Sequence, residues 1–192
     1  MNRWLLPACL AAAILTAACG EPPSKEMNQA QGAIDAARAA GADQYASTEF
    51  NAAIDSLKRS DQAVTDRDYR LALNNALESR EHAQNAAREA ADTKARLRGE
   101  AERAMAEIAA GLARANARLQ AAERARVPAR LLREPQDELA AINRDVQKAG
   151  EAIQTGDYLA AKPLLDGVKA RIEKVAAELQ ARATSQSARR RR

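Results

Sequence analysis

Apolar positions in this chain are filled mainly by alanine, and aromatic residues make up only 3% of it. That choice constrains the fold more than any other feature. Alanine has the highest helix propensity, and the Glu, Lys, Arg and Gln that fill many other positions follow closely. Few β-branched or aromatic side chains are left to face a sheet. The expected class is all-α. A core of alanine with scattered Leu, Ile and Val is thin, so an elongated bundle of slender hairpins is expected.

Periodicity and punctuation place about five helices. Met27, Ala30, Ile34, Ala37 and Ala40 share one face over about 25–40, and Gly41 closes that helix. Ser47 or Thr48 is placed to cap a second helix, which carries Phe50, Ala53, Ile54, Leu57 and Val64 to about Asp66. Asp68 caps a third, opening at Tyr69 and meeting no strong stop before Val127-Pro128. Gly99 and Gly111 each weaken it by about 1 kcal/mol relative to alanine and leave its continuity open. Within it, Ala101, Met105, Ile108, Leu112, Ala115, Leu119 and Ala122 are spaced alternately four and three apart, the seam of a coiled coil. Such a seam serves either self-association or burial inside the same chain. Residues 129–134 are expected to turn the chain, with Pro135 in the first turn of a fourth helix running to about Thr155. Gly156-Asp157 makes the next turn, and Tyr158 opens a fifth helix reaching about Ala183. The end, 184–192, reads as a disordered basic tail.

Sliding the chain 89 positions against itself pairs Phe50 with Leu139, Leu57 with Val146, Ala63-Val64 with Ala152-Ile153, and Asp68-Tyr69 with Asp157-Tyr158. Ala72 then meets Ala161 and Ala83 meets Ile172, so the register holds across a helix, a turn and the following helix. This suggests two similar helical hairpins (about 27–95 and 97–182) joined by the long, partly coiled-coil-like helix. Chance similarity between Ala-rich helices is the alternative.

The first residues have another character. Met1-Asn2-Arg3 supplies a positive start, and Trp4 to Ala18 is an apolar run without charge. That order reads as a secretory signal over 1–18, too short for the roughly 20 residues of a spanning helix. Leu15-Thr16-Ala17-Ala18-Cys19 resembles the lipobox of bacterial lipoproteins, with Thr16 where Leu is commoner. The resemblance implies diacylglycerol and palmitate on Cys19 and cleavage ahead of it, leaving 19–26 as lipidated N-terminus and linker. A plain cleavable signal with an incidental cysteine is the other reading. Cys9 leaves with the signal in both cases, so no disulfide framework remains. Gly20 stands where, in enterobacteria-like systems, Asp retains lipoproteins at the inner membrane, which favours the outer membrane facing the periplasm of a Gram-negative bacterium.

Net charge is +4, but Arg3 and the run Arg189-Arg190-Arg191-Arg192 account for five of the 30 cations, leaving 25 against 26 acids. Nothing in that balance resembles a nucleic-acid-binding face. The terminal arginines read as a solvated end, or as a contact for an anionic surface, whether lipid headgroups or phosphates or an anionic cell-wall polymer.

From Ala36 to Ala76, the run Ala39-Ala40-Gly41-Ala42-Asp43-Gln44-Tyr45-Ala46-Ser47-Thr48-Glu49-Phe50 and the later Arg67-Asp68-Tyr69-Arg70-Leu71-Ala72 are similar to the bacterial lipoprotein family known as domain of unknown function 4398. Its members look like a lipobox, an Ala-rich helix, a Gly-Ala-x-x-Tyr-Ala-Pro-Glu turn and a Gly-Asp-Tyr turn. Here Ser47 replaces the usual proline and Arg67 the usual glycine, while Gly156-Asp157-Tyr158 carries the second motif whole. The Asp-Tyr turn also looks like the inter-helix turn of TPR-like (tetratricopeptide) repeats, without their 34-residue period. The resemblance bears on fold and location and supplies no reaction.

No phosphate loop, nucleophile elbow or Cys/His cluster occurs, and no catalytic residue, metal site or cofactor is expected. His82 lies four residues from Glu78 on one helix face, but two ligands are too few for a metal. Tyr45, Tyr69 and Tyr158 sit at turns, where they serve either packing or recognition. The expected function is non-enzymatic: a membrane-anchored helical scaffold or adaptor for another envelope protein. The alternative is a chaperone-like module holding a peptide or lipid in a groove between hairpins.

Overall fold

The computed structural model describes residues 20–191, and the expected signal over 1–18, Cys19 and Arg192 lie outside the described residues. Six helices follow one another: α1 (Ser24–Ala39), α2 (Ala42–Tyr45), α3 (Ser47–Thr65), α4 (Tyr69–Arg124), α5 (Ala129–Gln154) and α6 (Tyr158–Arg191). No strand occurs among the described residues, so the class is all-α. The one helix not anticipated is α2, a single turn. The chain divides into two compact units between Thr93 and Lys94, and α4, unbroken through Gly99 and Gly111, contributes to both.

In unit one, Gly41 ends α1 in the left-handed region at φ 83°, its N–H donating to the Arg38 carbonyl at 2.8 Å. Only glycine enters that region without steric cost. Ser47 is already inside α3, which starts without a side-chain cap, so neither Ser47 nor Thr48 takes the expected capping role. Ala46 takes the N-cap position instead, and its methyl has no atom to accept a hydrogen bond. Alanines Ala37, Ala42, Ala53, Ala83, Ala86 and Ala90 join Ile34 and Phe50 in the core. Their small side chains let helix backbones approach closely. Two buried serines use that proximity. Ser60 Oγ donates to the Ala72 carbonyl and Ser79 Oγ to the Ala53 carbonyl, each at 2.7 Å, tying α3 to α4.

Unit two has a bulkier core, with Ile108, Leu132, Leu139, Ile142, Leu165, Val168, Ile172 and Leu179. The heptad seam is spent here. Ala101, Ile108, Ala115 and Ala122 are buried in this core, and Met105, Leu112 and Leu119 pack against it. The seam is thus largely covered within the same chain. A sequence cannot distinguish the two uses, because the same spacing suits any partner helix. Gly111 approaches α6 so closely that a Cβ there would lie 3.0 Å from Ile172 Cγ2.

Two boundaries differ from expectation. Residues 129–134 are helical, so Pro135 lies inside α5 and is buried. Pro128, with φ −56°, sits at the N-terminal boundary instead, where its fixed dihedral prepares the helix. The segment 184–191 is not disordered but continues α6, held by side-chain bonds such as Thr184 Oγ1 to the Gln180 carbonyl at 2.9 Å and by Gln186 Nε2 donating to the Arg126 carbonyl at 3.3 Å. Each unit also holds a third major helical segment beyond a hairpin: α1 in unit one, and residues 94–124 of α4 in unit two.

Positions 89 apart share burial. Phe50 and Leu139, Ala53 and Ile142, Ala72 and Ala161, Ala76 and Leu165, Ala83 and Ile172, and Ala90 and Leu179 are all core residues. The unit-one member is often alanine where the unit-two member is branched.

Candidate functional site

The sequence singled out the Asp-Tyr turns, and they share one local geometry. α3 ends with Arg67 at φ 59°, its N–H on the Val64 carbonyl and the Asp68 N–H on the Ala63 carbonyl at 2.8 Å. α5 ends with Gly156 at φ 79°, and the Asp157 N–H meets the Ala152 carbonyl at 2.8 Å. Both are Schellman closures. Each aspartate then caps the next helix: Asp68 Oδ1 accepts from the Leu71 N–H at 2.9 Å, and Asp157 Oδ1 from the Ala160 N–H at 3.0 Å.

The three tyrosines are all half-buried at turns. Tyr45 packs on the unit-one core and Tyr158 on the unit-two core. Tyr69 faces the start of the described chain: a Cβ on Gly20 would lie 3.5 Å from Tyr69 Cδ2. Tyr158 also borders an open cleft of about 390 Å³ with a floor of Leu97, Ala101 and Leu165, rimmed by Arg103, Lys162, Glu107 and Asp166.

His82 is not a plain solvated position. Its Nδ1 lies 2.8 Å from Glu49 Oε2 across to α3, and its Nε2 3.8 Å from Glu78 Oε1. Eighty-nine residues on, Arg171 meets Glu138 at 2.6 Å and Asp145 at 2.5 Å, clasping α5 to α6. The hydrogen bond from Arg171 holds the Asp145 carboxyl below its ordinary range. Lys169, 2.6 Å from Glu107, does the same to that carboxyl and is itself raised. Among the described residues no group of His, Cys, Asp and Glu is arranged to hold a metal ion, and no helix is long and apolar enough to cross a membrane.

Of the terminal arginines, Arg189 is exposed on the last turns of α6, and the side chains of Arg190, Arg191 and Arg192 lie outside the described residues. Sequence reasoning missed the serine ties and the Glu49–His82 bond. Both link residues distant in sequence, and neither residue type announces its partner.

The α1–α2 and α3–α4 turns are the parts of the chain that carry the family resemblance. Residues 25–104 match the model of a domain of unknown function, DUF4398. The DUF4398 match spans the helices of unit one and the first turns of unit two. Neither curated proteins nor solved structures yield a match to the chain.

Proposed function

We propose that this chain is a lipoprotein anchored through Cys19, most consistent with the periplasmic face of a Gram-negative outer membrane, and that it acts as a non-enzymatic helical scaffold for another envelope component. One observation carries the reading: Leu15-Thr16-Ala17-Ala18-Cys19 ends an uncharged apolar run and is followed by Gly20. Gly20 in place of Asp supports outer-membrane sorting. The DUF4398 match supports this reading only through the family resemblance, because the family carries no assigned activity.

Labelled palmitate should enter the wild-type chain and not the Cys19→Ala form, and crosslinking in intact cells should capture an envelope protein from the wild type only. Unlabelled wild-type chain overturns the anchor, and capture that is the same in both forms overturns its role in presenting the scaffold. The second reading, a ligand-holding module, is favoured by the cleft beside Tyr158. Tyr158→Ala should abolish capture of a peptide or lipid under that reading and leave scaffold partners unchanged under the first.

We also infer that the two units repeat one three-helix plan. Shared burial at 89-residue separation, the paired Asp-Tyr turns, and the Glu49–His82 and Glu138–Arg171 pairs support it. At a separation of 85, α1 also aligns with the end of α4: Ala30 with Ala115, Ala37 with Ala122, and Gly41 with Arg126, both at positive φ. The difference of four residues falls between Val127 and Pro135, in the first turns of α5.

A further inference from the structure

Charge is divided unevenly along this chain. Residues 20–93 hold 8 Lys and Arg against 13 Asp and Glu, whereas residues 94–192 hold 21 against 13. The excess is concentrated further. From Arg114 to Arg133 there are six arginines (Arg114, Arg118, Arg124, Arg126, Arg130 and Arg133) and one acid, Glu123. From Arg182 to the end there are five arginines and no acid.

The fold of unit two brings the start of the second stretch beside the first. Gln186 Nε2 donates to the Arg126 carbonyl at 3.3 Å, and Arg182 reaches Glu134 at 3.3 Å, so the last turns of α6 lie beside the α4–α5 turn. The nearby acids are partly occupied: Glu134 by Arg182, and Glu123 by Gln136 at 3.4 Å. Arg126, Arg130 and Arg133 are exposed, and no ion pair among the described residues engages them. Arg130 and Arg133, three apart and so neighbours on the helix surface, line an open cleft of about 760 Å³ with Lys174 and four acids, of which Glu134 and Glu178 are paired with Arg182 and Glu138 with Arg171, leaving Asp137. Leu131 follows Arg130 in the first turn of α5, on a different side of the helix from the Arg130–Arg133 pair, and is 43% exposed.

We propose that this end of unit two docks on the surface of an anionic phospholipid bilayer, with Leu131 entering the headgroup region and the arginines binding lipid phosphates. Guanidinium groups bind phosphate oxygens in a two-pronged manner and are weakly hydrated, so they leave water more readily than lysine. An exposed apolar side chain on a helix turn that also carries exposed cations is the pattern of segments that lie in a membrane interface. A soluble anionic polymer would satisfy the arginines but offers nothing to Leu131. This contact is independent of acylation at Cys19.

The test uses the full chain with Trp4→Phe and Leu131→Trp, so that residue 131 holds its sole tryptophan. Vesicles of phosphatidylcholine alone are compared with vesicles that also contain phosphatidylglycerol. With the anionic vesicles, emission should shift to the blue and be quenched by brominated acyl chains. Added salt should reverse the shift, and a variant also carrying Arg126→Glu, Arg130→Glu and Arg133→Glu should lose it while keeping its helicity. Equal emission on both vesicle types, or a shift that survives the three Glu substitutions, overturns the proposal. Association without vesicles that the same substitutions abolish would assign the surface to the acidic unit of a second copy, and also overturns it. Failure of the Cys19 anchor reads out separately, as chain that does not float with neutral vesicles.

Discussion

At position 67 the chain holds an arginine at φ 59°, where position 156, in the same role, holds glycine at φ 79°. A side chain in this left-handed conformation is crowded against its own backbone, at a cost of roughly 1 kcal/mol. Arg67→Gly should therefore raise the stability of the protein by up to about 1 kcal/mol, and Gly156→Ala should lower it by a similar amount, both read by urea unfolding. Two equal and null effects would show that the turns are not strained as their dihedrals imply. The capping aspartates were readable from sequence, because an Asx residue ahead of a helical run acts on its own backbone three residues on. The serine ties were not, because Ser60 and Ala72 meet only once α3 and α4 are packed.

The helices themselves are best probed through the two glycines of α4. A Cβ at Gly99 meets nothing within 4 Å, whereas one at Gly111 meets Ile172 Cγ2 at 3.0 Å. Gly99→Ala should stabilise by about 1 kcal/mol through helix propensity alone. Gly111→Ala makes the same propensity gain but must displace a β-branched side chain buried in the core, and it should be destabilising. Thermal melts of the two variants moving in the same upward direction would refute the close approach of α4 and α6. Pro135 belongs to this scale too. It removes one backbone donor from the interior of α5 and was expected nearer the helix start, but the residues before it, Arg130 to Glu134, are good helix formers or charged surface positions that extend the helix back to Pro128.

For the whole molecule, the two cores differ in kind. Unit one relies on alanine and on cross-helix hydrogen bonds, and unit two on Ile, Leu and Val together with the Arg171 clasp. The carboxyls of Asp145 and Glu107 are held below their ordinary range by Arg171 and Lys169 respectively. A depressed carboxyl contributes stability that is present above its unfolded pKa, near 4, and lost as pH falls through the lower folded value. The raised Lys169 amine acts oppositely, its contribution disappearing only as pH climbs past the usual lysine range. Arg171→Ala should therefore lower the melting temperature at neutral pH, and the gap from wild type should narrow as the solution is acidified below pH 4. Arg171 and Asp145 are half-buried at the surface and Lys169 and Glu107 are exposed, so the effect should be modest and weaken in salt. A gap unchanged by acid would mean that Arg171 acts by packing alone. The uneven charge of the two units also belongs to this scale. The near balance of the chain as a whole conceals it.

What the sequence alone determined is local. Alanine and helix-forming polar residues commit the chain to α-helix, Gly41, Asp68 and Gly156-Asp157 mark where helices end and begin, and the apolar spacing gives each helix its buried face. These follow from propensity, capping and periodicity, which act within a few residues. Only the tertiary structure decided which partner the heptad seam of α4 meets, how serines and His82 are matched across helices, and that the last turns of α6 lie beside the arginines of the α4–α5 turn. Those outcomes depend on contacts between residues tens of positions apart, and no local preference of the chain encodes them.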